Sequence, residues 1–126
     1  MQTKKVLIVD DESVVCELLQ GWLTRWDYDV NVAGSAVQAL ESMLASPADI
    51  ILCDINMPGQ NGLWLAERVR AKWPCTAIIF ASGVMDMDTV NQTRQLGAVG
   101  FVTKPFGREL LRQALLRAME CSPVGE

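Results

Sequence analysis

The chain has 126 residues, half of them apolar, a net charge of −4 and no histidine. That is the size of one ordinary domain with a sizeable core. Scattered basic residues exclude a nucleic-acid footprint, the lack of any apolar run near about 20 residues excludes a membrane-spanning helix, and the missing histidine removes the usual general base and the commonest zinc ligand.

"KKVLIVD" (4–10) opens the chain as an apolar strand. Its apolar part is too short for a secretory signal. The four scattered cysteines, Cys16, Cys53, Cys75 and Cys121, therefore read as reduced thiols of a cytosolic protein. Residues 13–26 follow as a helix with Val15, Leu18, Leu19, Trp22 and Leu23 expected on one face. "YDVNVA" (28–33) is a second strand, and residues 35–45 are a helix capped by Ser35 and stopped near Pro47. "DIILCD" (49–54) is a third strand, and residues 62–72 are a helix with Leu63, Ala66 and Val69 inward. "TAIIFAS" (76–82) is a fourth strand, followed by a thinly apolar helix over 87–96. "GFVT" (100–103) and an amphipathic helix over 106–120 complete the pattern, with 121–126 left as a tail or the start of a linker. Trp22 fits the core face, whereas Trp26, Trp64 and Trp73 are candidates for a partner surface.

Strand and helix alternate five times, and strands one, three and four are almost unbroken Val, Ile, Leu and Phe. Such strands are buried on both faces of a parallel sheet, and right-handed crossovers put helices on both sides. The carboxyl ends of all five strands then share one edge, where ligands bind in open α/β sheets.

The unusual residues fall at that edge. Asp10, Asp11 and Glu12 follow strand one, Asp54 ends strand three, Ser82 ends strand four, and Thr103-Lys104-Pro105 ends strand five. Each alone has an ordinary explanation as a turn former, helix cap or solvated loop. Their succession at consecutive strand ends points to one cleft. Clustered carboxylates raise one another's pKa, and a hard divalent cation such as Mg²⁺ relieves the repulsion. With a lysine and a hydroxyl beside them, they make a phosphoryl-binding site in which a carboxylate can itself be the nucleophile. Pro58, Gly59 and Gly62 shape a loop whose backbone can approach a metal or phosphate.

"VLIVDDE", "DIILCDINMPGQNGL", "IIFASG" and "GFVTKPF" resemble, in order and spacing, the four signature blocks of the receiver domain of response regulators in bacterial two-component systems. The resemblance covers about residues 4–120. It implies a flavodoxin-like, doubly wound α/β fold, a five-stranded parallel sheet of order 2-1-3-4-5 with five helices. It implies Asp54 as phosphoacceptor and a Mg²⁺ site made by Asp11, Asp54 and the backbone carbonyl of Asn56, with Asp10 acting through water. Ser82 is then the switch hydroxyl, Lys104 the phosphoryl partner, Phe101 the aromatic switch position, and Lys104-Pro105 a cis peptide. Many relatives carry Tyr where this chain has Phe101, so a switch by ring burial alone is left.

The implied partners are a sensor histidine kinase or phosphotransfer protein, an output domain C-terminal to this chain, and a second copy docking through the fourth helix, fifth strand and fifth helix. The implied location is cytoplasmic, and the chain is not an enzyme beyond its own phosphorylation and dephosphorylation. An Asp-nucleophile phosphohydrolase is disfavoured by Asn56, where such enzymes place a second acid. An interaction module without phosphate chemistry is disfavoured by the intact set Asp10, Asp11, Asp54, Ser82 and Lys104. A flavin carrier is disfavoured because these acids would repel its phosphate.

Overall fold

The computed structural model describes residues 3–83 and 86–120, so the expected tail at 121–126 lies outside the described residues. The elements are β1 (Lys5–Val9), α1 (Ser13–Arg25), β2 (Asp29–Ala33), α2 (Ala36–Ala45), β3 (Ile50–Asp54), α3 (Gly62–Lys72), β4 (Ala77–Ser82), α4 (Met87–Gln95), β5 (Gly100–Thr103) and α5 (Arg108–Glu120). The five strands form one all-parallel sheet in the order β2-β1-β3-β4-β5. β3 and β4 are buried along their whole length, and β1 along all but its first residue. This is the burial their unbroken apolar runs require.

Alternation along the strands divides the core into two layers. Leu7, Val9, Ile51, Cys53, Ile78 and Phe80 face α2 and α3. Val6, Ile8, Ile50, Leu52, Ile79 and Val102 face α1 and α5. Continued by two residues, the second set leads from Ile8 to Asp10, from Leu52 to Asp54 and from Val102 to Lys104. The period of two thus delivers two carboxylates and an ammonium to the same face of the sheet, at its carboxyl edge.

The first helix is where the expected packing differs most. The buried stripe is Cys16, Leu19 and Leu23, while Leu18 is 52% exposed and Val15 and Trp22 are half-buried. Val15 and Trp22, about 100° round the helix from that stripe, pack half-buried against the margin of the same core layer, as expected, and Leu18 is the one left outside. In α3, Leu65 joins Ala66 and Val69 as a buried residue, and Leu63 packs half-buried against the same layer. The fifth helix begins at Arg108 rather than 106. The Gly107 carbonyl accepts the first helical bond, from Leu111 N–H at 3.3 Å, and Phe106 stays in the loop with its side chain against the α1–α5 layer. Ser35 caps α2 as expected, accepting from Gln38 N–H. Trp26, Trp64 and Trp73 are half-buried, and Arg112, Arg68 and Lys72 respectively place their charged groups over the rings. Only Thr93 of α4 is buried.

The loop between β3 and α3 is shaped by its glycines. Gly59 takes a positive φ of 79°, a region L side chains avoid. Gly62 donates to Ile55 O at 2.9 Å, and a Cβ there would collide with the Asp54 carbonyl oxygen and come within 2.9 Å of Cys53 Sγ. Since that carbonyl is backbone, it cannot swing aside. Gly62→Ala is expected to destabilise the fold by about 1–3 kcal/mol, the usual range for overpacking. Urea denaturation checks this, and an unchanged midpoint would contradict the close approach.

Candidate functional site

Asp10, Asp11 and Asp54 converge at the carboxyl edge of the sheet. One carboxylate oxygen from each lies within 4.8 Å of the others. Asp10 and Asp54 are 4% and 7% exposed, while Asp11 is exposed at the rim. The Lys104 ammonium enters from the end of β5. It donates to Asp10 Oδ2 at 2.8 Å and stands 3.4 Å from Asp54 Oδ2. It is also 3.8 Å from Glu12 Oε1.

The β1–α1 loop is fixed around Asp10. Its N–H donates to Ala33 O at 3.1 Å, continuing the ladder beyond β1, and its Oδ1 accepts from Glu12 N–H at 3.0 Å. Glu12 stands at the N-terminal boundary of α1 without a side-chain capping bond. On the other side of the cleft, Asn61 caps α3 by accepting from Trp64 N–H at 3.0 Å. Asn56 is exposed in the loop after β3, and its backbone N–H lowers the Asp54 pKa slightly against the larger effect of burial.

Burial pushes the Asp54 carboxyl above its ordinary value; the positive Lys104 pulls it down and the negative Asp10 pushes it up again. The net shift is upward although an ammonium stands beside it, so loss of water outweighs the ion pair. For Lys104, burial alone would lower the pKa. The hydrogen bond and charge of Asp10, then Asp54, more than offset that, and its pKa rises. Cys53 Sγ donates to Asp54 O and Cys16 Sγ to Asp10 O, each at 3.3 Å. Burial raises both pKa values, Cys53 far more strongly, so both stay thiols.

The two buried acids share the Lys104 ammonium, Asp11 stands beside them at the rim, and all three acids offer hard oxygen. That donor set suits a small divalent cation such as Mg²⁺. Ser82 is buried at the end of β4 and pairs in register with Thr103, while Phe101 pairs with Phe80 one step back on the same face. Lys104 N–H donates to Ser82 O at 2.7 Å, and the Lys104-Pro105 peptide is cis. Phe101 is half-buried between a cleft of about 220 Å³ toward Val90, Thr93 and Arg94 and one of about 100 Å³ toward Leu110, Gln113 and Arg117.

Glu12, the third acid after strand one, joins the Lys104 environment. One feature was not visible in the strand-end pattern: the outer stripe of α1, Val15, Leu18 and Trp22, forms an apolar groove of about 350 Å³ with Lys104, Pro105 and Phe106.

The family model for the response regulator receiver domain matches residues 6–116. The chain is 29% identical over 114 residues to the transcriptional regulatory protein ZraR of Escherichia coli K12, covering 90% of this chain and 26% of that protein. It is 33% identical over 119 residues to the response regulator protein PilR of Pseudomonas aeruginosa, covering 94% and 27%. It thus spans about a quarter of the length of these curated relatives. The crystal structure of the chemotaxis protein CheY4 from Vibrio cholerae matches with a TM-score of 0.88 at 28% identity, over 93% of this chain and 99% of that one. A putative response regulator from Chloroflexus aurantiacus matches with a TM-score of 0.88 at 27% identity, over 95% and 100%.

Proposed function

The chain belongs to the response regulator receiver domain family, and we propose that it is the phosphoacceptor of a two-component relay, with the receiver domain spanning residues 4–120 and Asp54 as the residue modified. The observation that carries the reading is the convergence of Asp10, Asp11 and Asp54 on one point with Lys104 between the two buried acids. A carboxylate oxygen of Asp54 attacks the phosphorus of a kinase's phosphohistidine in line. The O–P bond forms, the N–P bond breaks, and the electron pair stays on the histidine nitrogen. Asp11, Asp54 and the Asn56 carbonyl, with Asp10 through water, would hold Mg²⁺, which supplies charge neutralisation on the phosphoryl oxygens. The activity is self-directed signalling rather than turnover of a substrate, and the reading puts it in the cytoplasm. No helix among the described residues is long and apolar enough to cross a membrane.

The test uses the intact protein, a small acyl phosphate donor and intact mass. The expected result is one phosphoryl increment with Mg²⁺ and none with a chelator. A wild type that stays unmodified in Mg²⁺ would overturn the proposal.

After phosphorylation, Lys104 turns to the phosphoryl oxygens and the Ser82 hydroxyl donates to them. Such a charge-assisted bond contributes about 1.5–3 kcal/mol, and burying a Phe ring adds about 1.5–3 kcal/mol more. The space on both sides of Phe101 supports its role as the moving ring. The surface read by an output domain or a second copy is then the one made by α4, β5 and α5, whose first helix has little buried anchorage.

The phosphodonor has to reach Asp54 across the sheet edge, and the apolar groove between α1 and Phe106 opens beside Lys104. It is the surface a donor helix would cover. Leu18 is 52% exposed there, so Leu18→Arg leaves the core intact. The variant is expected to slow transfer from a phosphohistidine donor by about tenfold, as for a lost apolar anchor, while a small donor still modifies it at the wild-type rate. Equal rates from the protein donor would remove the groove from the account.

A further inference from the structure

We infer that Cys16 is a positioning residue for the acidic pocket: its thiol holds the peptide joining Asp10 to Asp11 and thereby sets how tightly the pocket binds a divalent cation. The inference rests on the proposed reading of Asp10, Asp11 and Asp54 as a Mg²⁺ pocket.

Cys16 is 6% exposed and packs with Leu19 and Leu23 in the α1–α5 layer. It brackets the loop at both ends. Its backbone N–H donates to Glu12 O at 3.1 Å, and its Sγ donates to Asp10 O at 3.3 Å. That carbonyl belongs to the peptide from which Asp11 departs. Asp11 is exposed at the rim, so its direction follows the backbone that carries it. Asp10 is also held through its N–H to Ala33 O, through Oδ1 to Glu12 N–H, and through Oδ2 to Lys104. The Lys104 bond is the one a cation competes with. Once it yields, the orientation of the two acids depends on the remaining restraints, and the thiol bond is the one acting on the peptide between them. Partners behind the direct ligands orient metal sites in this way.

Two substitutions separate positioning from packing. Cys16→Val fills the space but has no donor; Cys16→Ser keeps a donor but suits the apolar layer less well. The probe is Mn²⁺, an oxygen-seeking divalent ion, titrated into the full chain and followed by the loss of its free-ion electron paramagnetic resonance signal. Cys16→Val is expected to bind Mn²⁺ about tenfold more weakly, the low end for an outer partner, because a thiol is a weak donor. Cys16→Ser should stay close to wild type in affinity although it melts earlier. If Cys16→Val does not fold, Cys16→Ala is the donor-free variant and the same loss is expected. A packing role alone gives unaltered Mn²⁺ affinity in the donor-free variants, which would overturn the inference while leaving the pocket intact. A wild type that binds no Mn²⁺ would overturn the reading of the pocket, and the inference with it.

Discussion

Asp54→Asn will carry no phosphoryl group after incubation with a small acyl phosphate and Mg²⁺, under conditions where the wild type gains one. The other two acids cannot stand in for it. Asp10 is occupied by Lys104 and by Glu12 N–H, and Asp11 points from the rim rather than from the buried end of the central strand. An amide in place of the carboxylate keeps the shape of the site and loses the nucleophile. Mass spectrometry of the intact variant decides this, and a full-sized adduct would contradict it. The same variant makes a pH prediction. Burial raises the Asp54 pKa in the fold, so proton binding favours the folded state there. The cost of the ionised carboxylate is complete above the raised value and absent below the ordinary one. In metal-free buffer Asp54→Asn should therefore melt later than wild type near neutral pH, and the gap should close on acidification. A gap that widened at low pH would contradict the burial argument.

Lys104→Ala should lower the stability of the metal-free protein at neutral pH by about 3 kcal/mol, the low end for breaking a buried pair, because the ammonium keeps some contact with water. Its side chain is 20% exposed and the side chains of its two close partners only 4% and 8%, so removal leaves two carboxylates without their cation. The sign with pH follows from the raised Lys104 pKa. The stabilisation is present in full below the ordinary lysine value and is lost only as pH climbs through the raised one. Magnesium should recover more stability in the variant than in wild type. Lys104 and a cation compete for Asp10, so Mg²⁺ affinity is expected to hold or rise in Lys104→Ala while the response to phosphorylation is lost. Denaturant melts with and without Mg²⁺ measure both effects. Abolished Mg²⁺ binding would show that Lys104 belongs to the metal site itself.

The sheet was legible because β1, β3 and β4 are apolar on both faces, the mark of strands covered by helices on either side. The candidate site was legible because Asp10 and Asp54 each break such a run, Lys104 follows β5, and the fold puts strand ends side by side. Helix faces were harder. In α1 the most hydrophobic residues are leucines and a tryptophan, yet Cys16 takes the inward position and Leu18 does not. Hydrophobicity alone does not fix helix rotation when two adjacent stripes are both apolar, and the second stripe here lines the groove beside Lys104. The start of α5 was misjudged because Phe106 looks like a helix residue, whereas its side chain serves the core from the loop. Side-chain bonds such as Cys16 to Asp10 lie beyond pattern reading, since they depend on how a helix abuts a loop rather than on residue type.

The central claim is that Asp54 itself becomes an aspartyl phosphate. Acyl phosphates are reduced by borohydride to an alcohol, so the modified residue becomes homoserine and can be located by sequencing the peptide in a mass spectrometer. After treatment with a small phosphodonor and Mg²⁺, the account predicts homoserine at position 54 and nowhere else. Homoserine at position 10 or 11, or a phosphoryl-bearing protein in which position 54 remains aspartate, would contradict it.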